Sequence, residues 1–167
     1  NMLFRSDRGW AQAAELGLDD GRWAWGCAFF DSENDGDPDL VVTNGFTSHA
    51  NRELPDWDTW FWRQVAADSG HLERGERSRL LDDGGFEGSY AGYQRDRLFL
   101  QTGQGSGEFA EAAWSLGLDQ DHDGRAVVPL DVDGDGDLDL AYQHLLGLRL
   151  FENRARPRSF LRVELEG

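Results

Sequence analysis

The sequence has no lysine, a single cysteine and no long apolar run. All 16 basic residues are arginine, against 32 acidic residues, so the formal net charge is −16. This balance argues against nucleic acids and anionic membrane surfaces as partners, because both require clustered cationic groups. Cys27 alone cannot form an intrachain disulfide. Because no apolar segment approaches the roughly 20 residues of a membrane span, we expect no membrane insertion.

The residues that are present indicate a folded chain. Hydrophobic residues make up 39% and aromatic residues 12% of the sequence, which is enough for a packed core. A length of 167 residues suits one domain or part of a larger one. The opening residues 1–5 already carry a charge at Arg5, so they do not have the pattern of a signal peptide.

The negative charge is concentrated in two windows, residues 31–40 and 131–140, which together hold ten acids and no basic residue. Without them the net charge would be −6. In each window acids alternate around a glycine, so the first, third, fifth and ninth side chains and the seventh carbonyl can turn toward one cation. Such hard oxygen ligands favour Ca²⁺ over Mg²⁺. The predicted side-chain ligands are Asp31, Glu33, Asp35 and Asp39 in the first loop and Asp131, Asp133, Asp135 and Asp139 in the second, with the carbonyls of Asp37 and Asp137.

These loops differ from an EF-hand, whose twelfth position is a bidentate glutamate. Here the twelfth positions are Val42 and Tyr142, and a short β-prone run follows each loop. The pattern therefore predicts a metal loop that leads into a strand. A solvated acidic turn is the alternative, and it weighs more in the first loop, where Glu33 is longer and Pro38 stiffens the exit.

The two windows belong to a repeat. Residues 16–19 recur as residues 116–119, and the pair Leu3-Phe4 recurs as Leu98-Phe99. Each unit contains several short strands joined by Gly/Asp turns, which indicates an all-β fold of β-propeller blades. Two units cannot close a ring of about 4–8 blades, so we expect a fragment whose partners include the remaining blades of a longer chain. The predicted division is unit one at 1–45, an insertion at 46–96, unit two at 97–151, and a linker with a further strand at 152–167.

The insertion contains a predicted helix that starts near Pro55 and carries apolar residues on one face, followed by a polar helix at about 71–81. Packing of its tryptophans against the propeller is the main expectation. Trp62 and Arg63 lie off the apolar face, so they are the candidates for contact with an unidentified protein or glycan ligand.

Other constellations are weaker. Residues 119–124 also alternate acids before a glycine, but the ninth position is Val127, so we expect an acidic turn there rather than a third metal site. Cys27 lies on a predicted apolar strand, which favours a buried, inert thiol. The sequence contains no Ser/His/Asp order, nucleophile elbow, phosphate loop or zinc-like pairing of histidines. We therefore expect a binding module and not an enzyme, with a polysaccharide-active enzyme that uses a propeller face as the alternative.

These motifs resemble a known family. The acidic loops, the run at 135–140 and the Leu-Phe strands are similar to FG-GAP/VCBS-type repeats. The segments 42–45, 92–100, 123–127, 151–153 and 160–165 resemble bacterial proteins of the ASPIC/UnbV class, which are relatives of the cartilage acidic proteins, and the last of them is similar to the first strand of an ASPIC domain. The resemblance implies a calcium-loaded β-propeller with a binding role. It also implies a location that is extracellular, periplasmic or on the cell surface, reached through a signal peptide in the parent chain.

Overall fold

The structure is a computed structural model that describes residues 3–6, 9–56, 88–102, 107–155 and 163. Short strands dominate it, as the alternation of small apolar runs with Gly/Asp turns predicts. A 3-10 turn (Ala13–Leu16) and a one-turn helix α1 (Ala113–Leu116) precede the two Gly-Leu pairs. The strands are β1 (Leu3–Ser6), β2 (Gly9–Gln12), β3 (Ala24–Phe30), β4 (Asp39–Asn44), β5 (Arg97–Thr102), β6 (Glu108–Glu111), β7 (Gly124–Leu130), β8 (Asp139–His144) and β9 (Gly147–Phe151). The described helices include none with the length and apolar character needed to cross a membrane.

Antiparallel pairing organises these strands into sheets. Strands β1 and β2 form a hairpin, β3-β4-β5-β6 form a four-stranded sheet, and β7-β8-β9 form a three-stranded sheet. We call the latter two the first and second sheets. The predicted all-β architecture is confirmed, and both sheets are consistent with β-propeller blades. The described strands do not close a ring.

The two sheets repeat each other in register. Leu40 pairs with Phe99 in the first sheet, and Leu140 pairs with Phe151 in the second. Strand β9 is therefore a third Leu-Phe strand, in addition to the two that the sequence repeat indicates. The first sheet takes β3 and β4 from the first predicted unit and β5 and β6 from the second, so the insertion joins β4 to β5. The boundaries of the units themselves stay a prediction.

The main core lies between the two sheets. Phe30, Val41 and Leu98 of the first sheet pack against Leu140 and Tyr142 of the second, and all of them are buried. Full burial of each such side chain contributes about 1.5–3 kcal/mol. A smaller cluster on the opposite face of the first sheet is formed by Leu18, Leu40, Val42 and Phe99. The first sheet therefore has apolar residues on both faces, as expected of a central layer.

Cys27 is exposed, so the expectation of a buried thiol is wrong. Alternation along β3 directs Phe30 toward the second sheet and Cys27 to the opposite face. The equivalent residue of the second sheet, Val127, is buried because the first sheet covers it. The sequence pattern identified an apolar strand but could not show which of its faces is covered.

The central part of the insertion, residues 57–87, lies outside the described residues. Pro55 and Asp56, at the predicted start of the first helix, are not helical, and Asp56 instead pairs with Ser89. The rest of that helix, the second helix and the candidate ligand contacts Trp62 and Arg63 fall within 57–87 and stay predictions.

Candidate metal centre

Each acidic loop connects the first two strands of a sheet. The first loop joins β3 to β4 and the second joins β7 to β8. Gly36 and Gly136 have φ angles of +95° and +96°, a conformation that a Cβ disfavours, so the Asp-Gly step fixes the same turn in both loops. The prediction that each loop leads directly into a strand is confirmed.

The ninth residue of each loop, Asp39 or Asp139, anchors the loop to its sheet. Both side chains are buried. Asp39 Oδ2 accepts the Ser32 N–H at 3.0 Å and Oδ1 accepts the Gln101 N–H at 2.9 Å. Asp139 accepts the equivalent bonds from Val132 at 2.9 Å and from Asn153 at 2.7 Å. These aspartates therefore have a structural role in addition to any role as ligands.

The second loop brings three carboxylates together. Asp131, Asp133 and Asp139 each place one oxygen so that all three lie within 4.8 Å of one another. Such a separation allows one ion to contact all three, and carboxylate oxygens are the ligands that Ca²⁺ and Mg²⁺ prefer. Asp135 is not one of the three, but it lies beside them: its N–H donates to Asp133 Oδ1 at 3.1 Å, and its Oδ1 accepts the Asp137 N–H at 3.1 Å.

Asp137 is the least compensated acid of the second loop. Its side chain is 8% exposed and its Oδ1 has no hydrogen-bond partner among the described residues. Burial, together with the nearby charges of Asp135, Asp139 and Asp133, raises the pKa of Asp137 to about 6. The loop spacing predicts only the carbonyl of Asp137 as a ligand, so this side chain is an addition to the candidate centre. A cation would relieve the repulsion that the raised pKa reflects.

The first loop is arranged differently. Asp31 accepts the N–H groups of Asp35 and Gly36 at 3.0 and 2.8 Å, and Asp35 accepts that of Asp37 at 2.9 Å. In the part of the chain that the structure describes, this loop does not bring three acidic oxygens within the same distance as the second loop does. The first-loop ligands therefore stay predictions without a gathered site: Asp31, Glu33, Asp35 and Asp39 by side chain and Asp37 by its carbonyl.

Two hydrogen bonds join the loops, one of them direct and the other through Asn153, which follows β9. The Asn153 side-chain amide donates to the Ser32 carbonyl of the first loop at 2.7 Å, and the Asn34 amide donates to the Gly136 carbonyl at 3.5 Å. Sequence reasoning identified neither asparagine as functional. The signal that could have found Asn153 is the third Leu-Phe pair, because Asn153 occupies the position that Gln101 holds after the second pair.

The motif at 119–124 is an acidic turn that binds other parts of the chain. Asp123 accepts the N–H of Ser48 at 2.7 Å and its hydroxyl at 2.9 Å. Asp121 pairs with Arg52 at 3.0 Å, and Asp119 pairs with Arg95. The carboxylates thus bind both ends of the insertion and face different partners, in agreement with the expected acidic turn.

One family of known proteins matches the part of the chain that contains the second acidic loop. Residues 82–142 match the family model of the FG-GAP-like repeat. The match includes β5 to β7 and the second acidic loop, and it indicates a β-propeller repeat module. FG-GAP repeats are typical of extracellular proteins. Searches of the curated proteins and of the solved structures found no match.

Proposed function

We propose that this chain is a calcium-binding β-propeller module with a structural or ligand-binding role and no catalytic activity. The observation that carries the proposal is the second acidic loop, where three carboxylate oxygens lie within 4.8 Å of one another and Asp137 Oδ1 has no hydrogen-bond partner in the described part of the chain. Asp131, Asp133 and Asp139 would hold the ion, and Asp137 would contribute an oxygen to its surroundings. The bound ion would supply positive charge that offsets carboxylate repulsion and would join the loop to β8.

Calcium should therefore stabilise the fold. An ion that binds only the folded state at about 100 times its dissociation constant adds about 2.7 kcal/mol. For a domain of this size that corresponds to a rise in melting temperature of roughly 5–10 °C. Mg²⁺ should produce a smaller rise, because it demands a tight octahedron and retains its waters.

Thermal melting with calcium and with chelator tests the proposal. Asp133→Asn keeps the size of the side chain but removes a charged ligand, so it should abolish most of the calcium-dependent shift. Glu53→Gln, which makes the same charge change at an exposed residue outside the loop, is the matched control and should retain the shift. Identical melting of the wild type in calcium and in chelator would contradict the proposal.

The exposed face of the second sheet supports a role as one module of a longer propeller. Val128, Leu130 and Leu150 are exposed there. Their equivalents in the first sheet, Ala28, Phe30 and Leu98, form the face that packs on the second sheet. Because the repeat places apolar residues at the same positions, the occupant that fits this face is the next blade of the same longer chain.

The remaining parts of the proposal rest on the family resemblance. Location outside the cytoplasm agrees with a weak calcium site, because such sites fill where the ion is near millimolar levels. The ligand would be a protein or a glycan contacted by the insertion. Relationship to the ASPIC/UnbV class is part of the proposal and is tested by sequencing the full parent chain beyond residue 167.

A further inference from the structure

Asn153 contacts both acidic loops at once. Its backbone N–H donates to Asp139 Oδ1 at 2.7 Å. Its side-chain Nδ2 donates to the Ser32 carbonyl at 2.7 Å and to the Leu138 carbonyl at 3.3 Å. An amide nitrogen carries two hydrogens, so both side-chain bonds can form together. Asn153 therefore links the second loop, which belongs to its own sheet, to the first loop across the boundary between the sheets.

The equivalent residue of the first sheet lacks this link. Gln101 donates its backbone N–H to Asp39 Oδ1 at 2.9 Å, as the shared register requires. Its side chain makes no hydrogen bond to another described residue. The backbone bond is thus a property of the repeat, whereas the side-chain bridge is particular to Asn153.

The bridge continues into the first loop. Ser32, whose carbonyl accepts the Asn153 amide, donates its own N–H and hydroxyl to Asp39 Oδ2. An unbroken series of hydrogen bonds consequently runs from Asp139 through Asn153 and Ser32 to Asp39. The two ends of the series are the buried ninth-position aspartates of the two loops.

We infer that Asn153 is a positioning residue that couples cation binding in the second loop to the order of the first loop. This inference rests on the proposed calcium binding. An ion that fixes Asp139 and the loop around it also fixes Asn153, whose amide then restrains Ser32. A continuous hydrogen-bond network can pass this restraint on, so that the first loop becomes less mobile without a change of fold.

Hydrogen exchange with and without calcium tests the coupling. In the wild type, calcium should slow exchange in the second loop, at Val132 and Gly134, and also in the first loop, at Ser32. Asn153→Ala keeps the backbone bond to Asp139 but removes the bridge. In this variant the second loop should keep its protection, while the calcium-dependent slowing at Ser32 should shrink about three- to tenfold, the range that corresponds to one net hydrogen bond.

Two further variants make the result specific. Gln101→Ala truncates the equivalent residue of the first sheet. It should leave the calcium-dependent slowing of exchange unchanged both in the second loop and at Ser32. Asn153→Ser keeps a short side-chain acceptor for the Ala155 N–H, which Asn153 Oδ1 accepts at 2.9 Å, so it separates loss of the bridge from loss of this local turn. It should behave as Asn153→Ala does.

The outcomes distinguish the inference from the proposed function. Equal calcium protection at Ser32 in the wild type and in Asn153→Ala, with the second loop protected in both, would overturn the coupling alone. Absence of calcium protection in the second loop of the wild type would overturn calcium binding and the coupling with it.

Discussion

The two sheets approach each other closely at Gly26, and adding one methyl group there should weaken the fold. A Cβ on this residue would lie 2.7 Å from Ala126 Cα, 3.0 Å from the Arg125 carbonyl oxygen and 3.0 Å from Thr43 Oγ1. Two of these atoms belong to the backbone of β7, so they cannot rotate away. The Gly26→Ala substitution must therefore separate β3 from β7 or distort one of them.

The magnitude follows from two opposing effects. Overpacking of a tight site costs about 1–3 kcal/mol. Replacement of glycine by alanine also restricts the unfolded chain, which offsets about 0.4–1 kcal/mol. The net loss is about 1–2 kcal/mol, equivalent to a melting temperature roughly 2–8 °C lower for a domain of this size.

Gly21 supplies the matched control for thermal or urea denaturation. Nothing lies within 4 Å of a Cβ built on Gly21, and its φ is outside the left-handed region. Gly21→Ala should leave the free energy of unfolding unchanged or raise it slightly. If Gly26→Ala and Gly21→Ala unfold at the same urea concentration, the two sheets do not pack in solution as closely as described.

The remaining predictions concern a buried polar pair and the open sheet face. Burial raises the pKa of the Asp96 carboxyl, although the His144 hydrogen bond at 3.0 Å and the Asn44 N–H lower it. A folded pKa above the unfolded value means that this group favours folding most below about pH 4, and that the contribution is lost as pH rises through the folded pKa. From about pH 4 upward, the melting temperature of the wild type should therefore fall relative to that of Asp96→Asn, and parallel pH profiles of the two proteins would contradict this sign. The exposed face of the second sheet is tested by comparing Leu150 with Leu98, its buried equivalent in the first sheet. Leu98→Ala should cost about 2–5 kcal/mol in urea denaturation, whereas Leu150→Ala should change stability by less than about 0.5 kcal/mol in this chain. In a longer chain that carries the next blade, Leu150→Ala should approach the cost of Leu98→Ala, and a small effect there would argue against docking of a blade on this face.

Local chemistry explains what the sequence could predict. An aspartate followed by glycine specifies the turn of each acidic loop, and the apolar run after it specifies a strand, so β4 and β8 were predictable without knowledge of the rest of the fold. The same holds for the Leu-Phe strands β1 and β5. These signals lie within about ten residues of one another, where turn conformation and alternation decide the structure.

Features that depend on how the sheet faces pack against each other were not predictable from the sequence. Contacts between distant segments decide three such features. They are the exposure of Cys27, the bridge from Asn153 to Ser32 and the burial of the Asp137 side chain. Strand alternation tells which residues share a face, but it does not tell which face is covered. The use of Asp123 to hold Ser48 was hidden for the same reason, because its partner lies 75 residues away.

The acidic side chains at the two ends of the sheets have different surroundings. At the end where β7 begins, Asp119 and Asp121 pair with Arg95 and Arg52, which the chain itself supplies. At the other end, the acidic loops of both sheets lie close together, and Asp31 and Asp139 accept backbone N–H groups there. Burial and the neighbouring carboxylates raise the pKa of Asp137, so the negative charge of the second loop is only partly offset. A cation held by Asp131, Asp133 and Asp139 would add positive charge to the second loop. Removing it should loosen that loop, while the turn at 119–124, which Arg52 and Arg95 hold, stays in place.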